Sequence, residues 1–212
     1  MQLLLNDRCS VMPWNAIDNV VFDVGNVLLS FQPEKLLREI LPDHAAEHPA
    51  LLRCVFQSPY WQMMDRGVVD LEEAIVLMSC GHATLRPLIE RVMRGWNDRL
   101  ELIDEGVTAL HACKAHDKRC YVLSNYSAAP FDHSCRKHPH VFSLFDGIMV
   151  SAKERLIKPD QRIFLRLIER FRLDPERTLF IDDSAANVES AMDCGLQALH
   201  YHQPGLLDAF IR

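Results

Sequence analysis

The first clear apolar pattern in the chain is a short unbroken run, Val20-Val21-Phe22. It ends in a carboxylate, Asp23, and is followed by Val24-Gly25-Asn26-Val27. A strand buried on both faces of a parallel sheet reads as such a run, and ligands of these sheets bind just beyond the strands' carboxyl ends. The same residues also read as a hairpin, because Gly-Asn favours tight turns. From Pro33 the apolar residues Leu36, Leu37, Ile40 and Leu41 recur at helical spacing, with proline at a first-turn position. A second helical pattern over 43–56 carries Leu51, Leu52, Val55 and Phe56, and Ser58-Pro59 breaks it. Residues 65–70 read as a loop. Asp70 then N-caps a helix, with Glu73 completing a capping box, and Gly81 stops it after Cys80. Residues 84–96 predict a further helix. Nothing from 33 to 96 alternates like a strand, so 33–100 reads as a small helical cap inserted after strand one.

After Asp104 the rhythm changes. Helices are predicted over 105–115, 160–171 and 185–194, and strands over 119–123, 147–150, 178–181 and 196–201; residues 127–138 read as helix or irregular. Alternation of this kind predicts βαβ units and a parallel sheet. The expected fold is α/β: a Rossmann-like parallel sheet core with helices on both faces, built from 1–32 and 101–212. The first 18 residues carry no pattern of their own.

Composition narrows the function classes. The chain has 212 residues, enough for one domain with an insertion or two small ones, and 49% of them are apolar, too many for a disordered chain. A formal net charge of −6 argues against a nucleic-acid partner, and no Lys/Arg run suggests a membrane surface. The seven cysteines are scattered without a C-x-x-C pair, which suits reduced thiols. The N-terminus has no basic start and no stretch reaches membrane-spanning length. These features together predict a cytoplasmic protein.

The predicted strand ends carry the candidate chemistry: Asp23, Ser124 with Asn125, Lys158 in the loop before a helix, and Asp182 with Asp183. Each has a plain alternative. Ser124 or Asn125 can cap the next helix. Lys158, before Pro159-Asp160, can be a solvated side chain at a helix start. Capping explains one of Asp182 and Asp183, but two adjacent carboxylates after a buried strand raise each other's cost.

In this order the stretches Asp23-Val24-Gly25-Asn26-Val27, Leu123-Ser124-Asn125, Lys158-Pro159-Asp160 and Phe180-Ile181-Asp182-Asp183 resemble the four motifs of the haloacid dehalogenase-like hydrolase superfamily. The resemblance covers about residues 20–201, and the helical insertion is similar to that family's small cap. The Asp-x-Gly-Asn-Val form, with Asp65-Arg66-Gly67, most resembles a bacterial branch that includes an α-glucose-1-phosphate phosphatase. The resemblance implies that Asp23 is a nucleophile forming an aspartyl-phosphate. It implies Mg²⁺ held by Asp23, Asp183 and the Gly25 carbonyl, with Asp182 a ligand directly or one layer out. Lys158 would neutralise a phosphoryl oxygen, and Ser124 with the Asn125 amide would donate to it. Cations are required on physical grounds, since a carboxylate nearing a phosphate dianion is repelled by about 4 kcal/mol per charge pair. Mg²⁺, which takes oxygen ligands, suits the role.

One position departs from the family. Most of its phosphatases carry a second Asp two residues after the nucleophile, as acid and base; here that position is Gly25. General acid–base catalysis contributes about 10²–10⁴-fold. A cap residue such as Asp65 can replace it, an anomeric phosphate can leave without it, or the protein is nearly inactive. The expected function is Mg²⁺-dependent hydrolysis of a small phosphorylated metabolite, a sugar phosphate, by a monomer or homodimer. The alternatives are a metal-independent haloacid dehalogenase and a non-catalytic binder of phospho-ligands. His133, Cys135, His138 and His140 fit no standard zinc spacing and read as a solvated loop. Trp61, Met63 and Met64 are expected to pack in the cap, with Trp61 also able to stack on a sugar.

Overall fold

The computed structural model describes residues 13–207. Of the first 18 residues, 1–12, Cys9 among them, lie outside the described residues, and Trp14–Ala16 form a 3₁₀ turn. Five strands form one sheet: β1 (Asn19–Phe22), β2 (Arg119–Ser124), β3 (Gly147–Val150), β4 (Thr178–Asp182) and β5 (Gln197–His200). All neighbours pair in parallel, in the order β3-β2-β1-β4-β5. The hairpin reading of residues 20–29 is therefore replaced by a central parallel strand. The chain winds outward from β1 to β3, then crosses to β4 on the other side. The order reverses between β1 and β4, which is where such sheets open a crevice for ligands. Phe22 lies opposite both Val122 and Ile181, so Asp23, Ser124 and Asp182 come to the same edge.

The unbroken apolar runs are explained by two cores. Alternate strand residues face opposite ways. Val20, Phe22, Val122 and Ile181 join one apolar cluster; Val21, Tyr121, Leu123 and Phe180 join the other. The first face is covered by α6 (Asp104–Ala115), α7 (Ala128–Lys137) and α8 (Pro139–Phe142), through Leu110, Phe131 and Phe142. The second is covered by α10 (Gln161–Phe171) and α11 (Ala185–Asp193), which follow the short α9 (Ser151–Glu154). Ile163, Phe164 and Leu167 put one stripe of α10 fully out of solvent. Each such side chain stabilises the fold by roughly 1.5–3 kcal/mol.

Between β1 and α6 the chain is helical: α1 (Pro33–Ile40), α2 (His48–Leu51), α3 (Pro59–Asp65), α4 (Leu71–Ser79) and α5 (Arg86–Gly95). The single helical pattern expected over 43–56 resolves into turns, α2 and a five-residue π-helical turn, Leu52–Phe56. Ser58-Pro59 does more than break a helix. The Ser58 hydroxyl accepts from Tyr60 N at 3.0 Å and starts α3, which carries Asp65 as its last residue. The Asp70–Glu73 capping box forms as expected. Leu29 bridges Leu102, while Ser30 N donates to Glu101 O at 2.8 Å and Ile103 N to Leu28 O at 2.9 Å, so the two ends of the helical segment run side by side. Beneath them α6 sits directly on the loop after β1; a Cβ on Gly106 would overlap the Val27 carbonyl. No helix among the described residues is long and apolar enough to cross a membrane.

Candidate active site

The site begins where β1 ends. Asp23 N still donates to Ile181 O at 2.9 Å, which fixes the residue in the sheet. Its Oδ1 accepts from Val24 N at 2.6 Å and from the Lys158 ammonium at 2.9 Å. The loop then folds back on itself, with Leu28 N and Leu29 N both donating to Val24 O. Asn26 turns it with a φ of +52°, a left-handed conformation that Asn tolerates. The Asn26 amide donates to Asp183 Oδ2 at 2.9 Å, and its carbonyl accepts from Phe31 N at 2.9 Å.

Lys158 is the centre of the cluster. Its side chain is wholly shielded from solvent and donates to Leu123 O at 2.9 Å, Asp23 Oδ1 at 2.9 Å and Asp182 Oδ2 at 2.6 Å. An ammonium has three donors, so all are committed. A direct bond to a phosphoryl oxygen requires it to release one of them. Asn125 explains how the lysine is aimed. Its side chain donates to Lys158 O at 2.9 Å and accepts from Lys158 N at 2.8 Å. That side chain is therefore taken up in positioning. Ser124, at the end of β2, is buried, and its hydroxyl makes no hydrogen bond among the described residues.

The acidic pair divides into two environments. Asp182 is fully buried and bonded on both oxygens: Oδ1 accepts from Ser184 N at 2.8 Å and the Asn187 amide at 2.9 Å, and Oδ2 takes the lysine. Asp183 is half-buried, held by Asn26. Carboxylate oxygens of Asp23, Asp182 and Asp183 lie within 4.8 Å of one another. Among the described residues no other His, Cys, Asp or Glu group has such a spacing; His133 instead pairs with Asp98 at 2.7 Å. Three carboxylates against one ammonium leave an excess of negative charge. Burial pushes the Asp23 carboxyl up to about 7, Lys158 opposes the rise, and Asp182 adds to it. Burial also raises Asp183. Burial works against the Lys158 charge, but Asp182 and Asp23 outweigh it and hold the ammonium above its usual range. An all-oxygen, net-negative cluster of this kind fits a hard divalent cation such as Mg²⁺.

Above Asp23 lies a cavity of about 140 Å³. The sheet side contributes Asp23, Gly25, Ser124 and Asn125. A Cβ on Gly25 would meet nothing within 4 Å. The helical segment contributes Trp61, Asp65 and Trp96, with Phe31, Leu29, Leu100 and Tyr126 completing an apolar wall. Trp61 and Trp96 meet edge-on with ring centroids 5.0 Å apart, and Trp96 lies 5.8 Å from both Phe31 and Tyr126. The Tyr126 hydroxyl is already donated to Asn97.

The model of the haloacid dehalogenase-like hydrolases matches residues 17–195. The chain belongs to that family. A sesquiterpene phosphatase of Aspergillus oryzae is 25% identical over 180 residues, 85% of this chain and 87% of that protein. A D-ribitol-5-phosphate phosphatase of Bacteroides thetaiotaomicron is 23% identical over 190 residues, 85% of this chain and 90% of that protein. A family enzyme from the same bacterium, solved with magnesium and inorganic phosphate, shares the fold with a TM-score of 0.70 at 20% identity, over 86% of this chain and 93% of that one. The fold and hydrolase class expected from the sequence are therefore those observed.

All the strand-end residues singled out in this hydrolase's sequence lie at one edge of the sheet. Others that build the site gave weaker signals. Asn26 and Asn187 each hold a carboxylate, and an amide one turn from an acidic pair is the cue that marks Asn187. Ser151 links the two walls of the cavity: it accepts from Tyr126 N at 2.9 Å and donates to the Asp65 carbonyl. Its contacts join residues 86 positions apart, which no local pattern reveals.

Proposed function

We propose that this hydrolase is a Mg²⁺-dependent phosphomonoesterase working through an aspartyl-phosphate on Asp23. The observation that carries the reading is the convergence of three carboxylates, two of them bonded to one buried lysine, beneath a cavity at the β1/β4 switch point. Asp23, Asp183 and the Gly25 carbonyl would hold Mg²⁺. Asp182, bonded on both oxygens, keeps Lys158 and the floor in place. When bound there, the cation would supply charge neutralisation for the incoming phosphate and favour the ionised form of Asp23. Asp23 attacks phosphorus, the bond to the alcohol oxygen breaks, and water then cleaves the aspartyl-phosphate to regenerate the carboxylate. Ser124 and the Asn125 amide donate to the phosphoryl oxygens, where charge develops. Residues 33–100 act as a cap over a core of 1–32 and 101–212, supplying the roof of the cavity.

The wall bears on the substrate. A polyol would place hydroxyls against Phe31, Trp61, Trp96 and Leu100, and each buried hydroxyl without a partner costs about 1–3 kcal/mol. The wall thus favours the phosphate of a compact apolar or aromatic alcohol over the sugar phosphate expected from the sequence. The similarity to a sesquiterpene phosphatase supports the same direction. The acidic pair weighs against metal-independent dehalogenation, which has no use for a cation site. The test is phosphate release from aryl, prenyl and sugar phosphates, with Mg²⁺ or EDTA, beside Asp23→Asn. Release that needs Mg²⁺, falls at least about 10³-fold in the variant and favours apolar esters is expected. Halide release without metal, or ligand binding without turnover, would overturn the reading.

A further inference from the structure

We propose that Asp65 is the catalytic acid and base of this site, in place of the side chain that Gly25 lacks. The proposal rests on the phosphatase reading above. In phosphoryl transfer the attacking and leaving oxygens stand roughly in line across phosphorus. With Asp23 attacking from the sheet, the alcohol departs toward the wall that the helical segment supplies. Three ionisable side chains line the cavity: Asp23, Asp65 and Tyr126. Asp23 is the nucleophile. Tyr126 gives its proton to Asn97 Oδ1, and burial pushes its phenol well above the usual range. That leaves Asp65.

Its setting suits the task. The Ser127 hydroxyl donates to Asp65 Oδ1 at 3.0 Å. The backbone is pinned at the same point, by Ser151 on the Asp65 carbonyl and by Gly67, whose φ is +68° and whose Cβ position is filled by the Ala152 carbonyl. A catalytic group needs this kind of support from its neighbours. The residue is half-buried because it opens onto the cavity. Even so, desolvation pushes its carboxyl up to about 7, against the pull of Ser127. No lysine, arginine or histidine lines the cavity to force it to ionise, and Tyr126 is the titratable neighbour that feels its charge. A general acid works best with a pKa near the operating pH.

The proton balance closes. Protonated Asp65 gives its proton to the alcohol oxygen as the P–O bond breaks and the electron pair moves to that oxygen. The resulting carboxylate takes a proton from water as the water oxygen bonds to phosphorus. The bond from phosphorus to Asp23 then breaks, releasing inorganic phosphate, and Asp65 is protonated again.

The experiment compares two esters of similar shape: benzyl phosphate, whose alkoxide needs a proton to leave, and p-nitrophenyl phosphate, whose phenolate does not. In kcat/KM, which ends at release of the alcohol, Asp65→Asn should lose about 10²–10⁴-fold on benzyl phosphate and less than about tenfold on p-nitrophenyl phosphate. Asp65→Glu should recover part of the benzyl activity. The variant should also release one equivalent of nitrophenolate in a burst before slow turnover, because the base for the second step is missing. The ratio between substrates does not depend on the folded fraction. Equal losses on both esters, or a loss confined to KM, would overturn the assignment and leave the phosphatase reading intact. A wild type that releases phosphate from neither ester would overturn both.

Discussion

Lys158→Met removes one charge from the centre of the carboxylate cluster and keeps most of the apolar stem. The lysine is wholly buried, with carboxylate oxygens at 2.9 and 2.6 Å. At an effective dielectric of about 20, each contact has a gross attraction on the order of 6 kcal/mol. Desolvation of the ammonium takes back several kcal/mol, and the abandoned carboxylates can bind protons instead of staying charged. Removal of one partner from a buried pair should therefore destabilise the protein by about 3–5 kcal/mol. Burial already pushes Asp23 up to about 7 with the lysine present, and losing the lysine pushes it higher. A carboxyl with a folded pKa above its unfolded value destabilises fully at high pH, and the penalty fades as pH falls through the folded value. The gap between wild type and variant should thus be widest near pH 8 and should narrow toward pH 5.5. The slope can reach about 1.4 kcal/mol per pH unit for each extra proton bound. Urea unfolding of both proteins in EDTA at the two pH values measures it. A loss below about 1 kcal/mol, or one of equal size at both pH values, would show that stem packing and not charge is what Lys158 contributes.

Two glycines give further tests. Gly25→Asp places a carboxyl where a Cβ meets open space, so the variant should fold, with a stability cost from the added like charge that Mg²⁺ relieves in urea unfolding. In an Asp65→Asn background it should restore part of the benzyl phosphate turnover; no recovery would mean that the position cannot reach the leaving oxygen. Gly106→Ala forces a methyl group against the Val27 carbonyl and should cost about 1–3 kcal/mol in urea unfolding. It should also lower turnover, because the displaced loop carries Gly25 and Asn26. Unchanged stability would show that α6 and the loop shift apart freely.

Much of the fold was legible because a parallel sheet writes itself as apolar runs. Residues 147–150 and 178–181 read as strands for that reason, and the Asp70–Glu73 box marked a helix start within a few residues. The signal failed where structure depends on contacts distant in sequence. The pattern over 43–56 has helical spacing, but tertiary packing of Leu51, Cys54 and Val55 turns part of it into a π-helical turn. Ser58-Pro59 reads as the end of a helical pattern, whereas proline at a first turn after a serine cap also begins a helix, here α3. The site was legible in its charges and not in its supports. Asp23, Lys158, Asp182 and Asp183 stand out as polar groups next to buried strands. The roles of Asn125 and Ser151 are fixed by partners 33 and 86 residues away. Aromatic residues at 31, 61, 96 and 126 meet only once the chain has folded back on itself.

The bridge between Leu29 and Leu102 has a consequence for how this protein can change over evolutionary time. The main chain leaves the sheet layer and returns to it at one gate, closed by its own backbone hydrogen bonds. Lengthening a loop whose ends are already held together costs little, about 0.6 kcal/mol for each doubling. Insertions or deletions in the exposed turns between those two leucines would leave the strand register almost undisturbed, provided the helices keep the apolar residues they share with the core beneath the sheet. In chain order the roof and the floor of the cavity meet only at this gate, while Ser127 and Ser151 tie them together across the cavity. Changes to the roof are therefore best accommodated where they spare the residues that meet Ser127, Ser151 and Ala152.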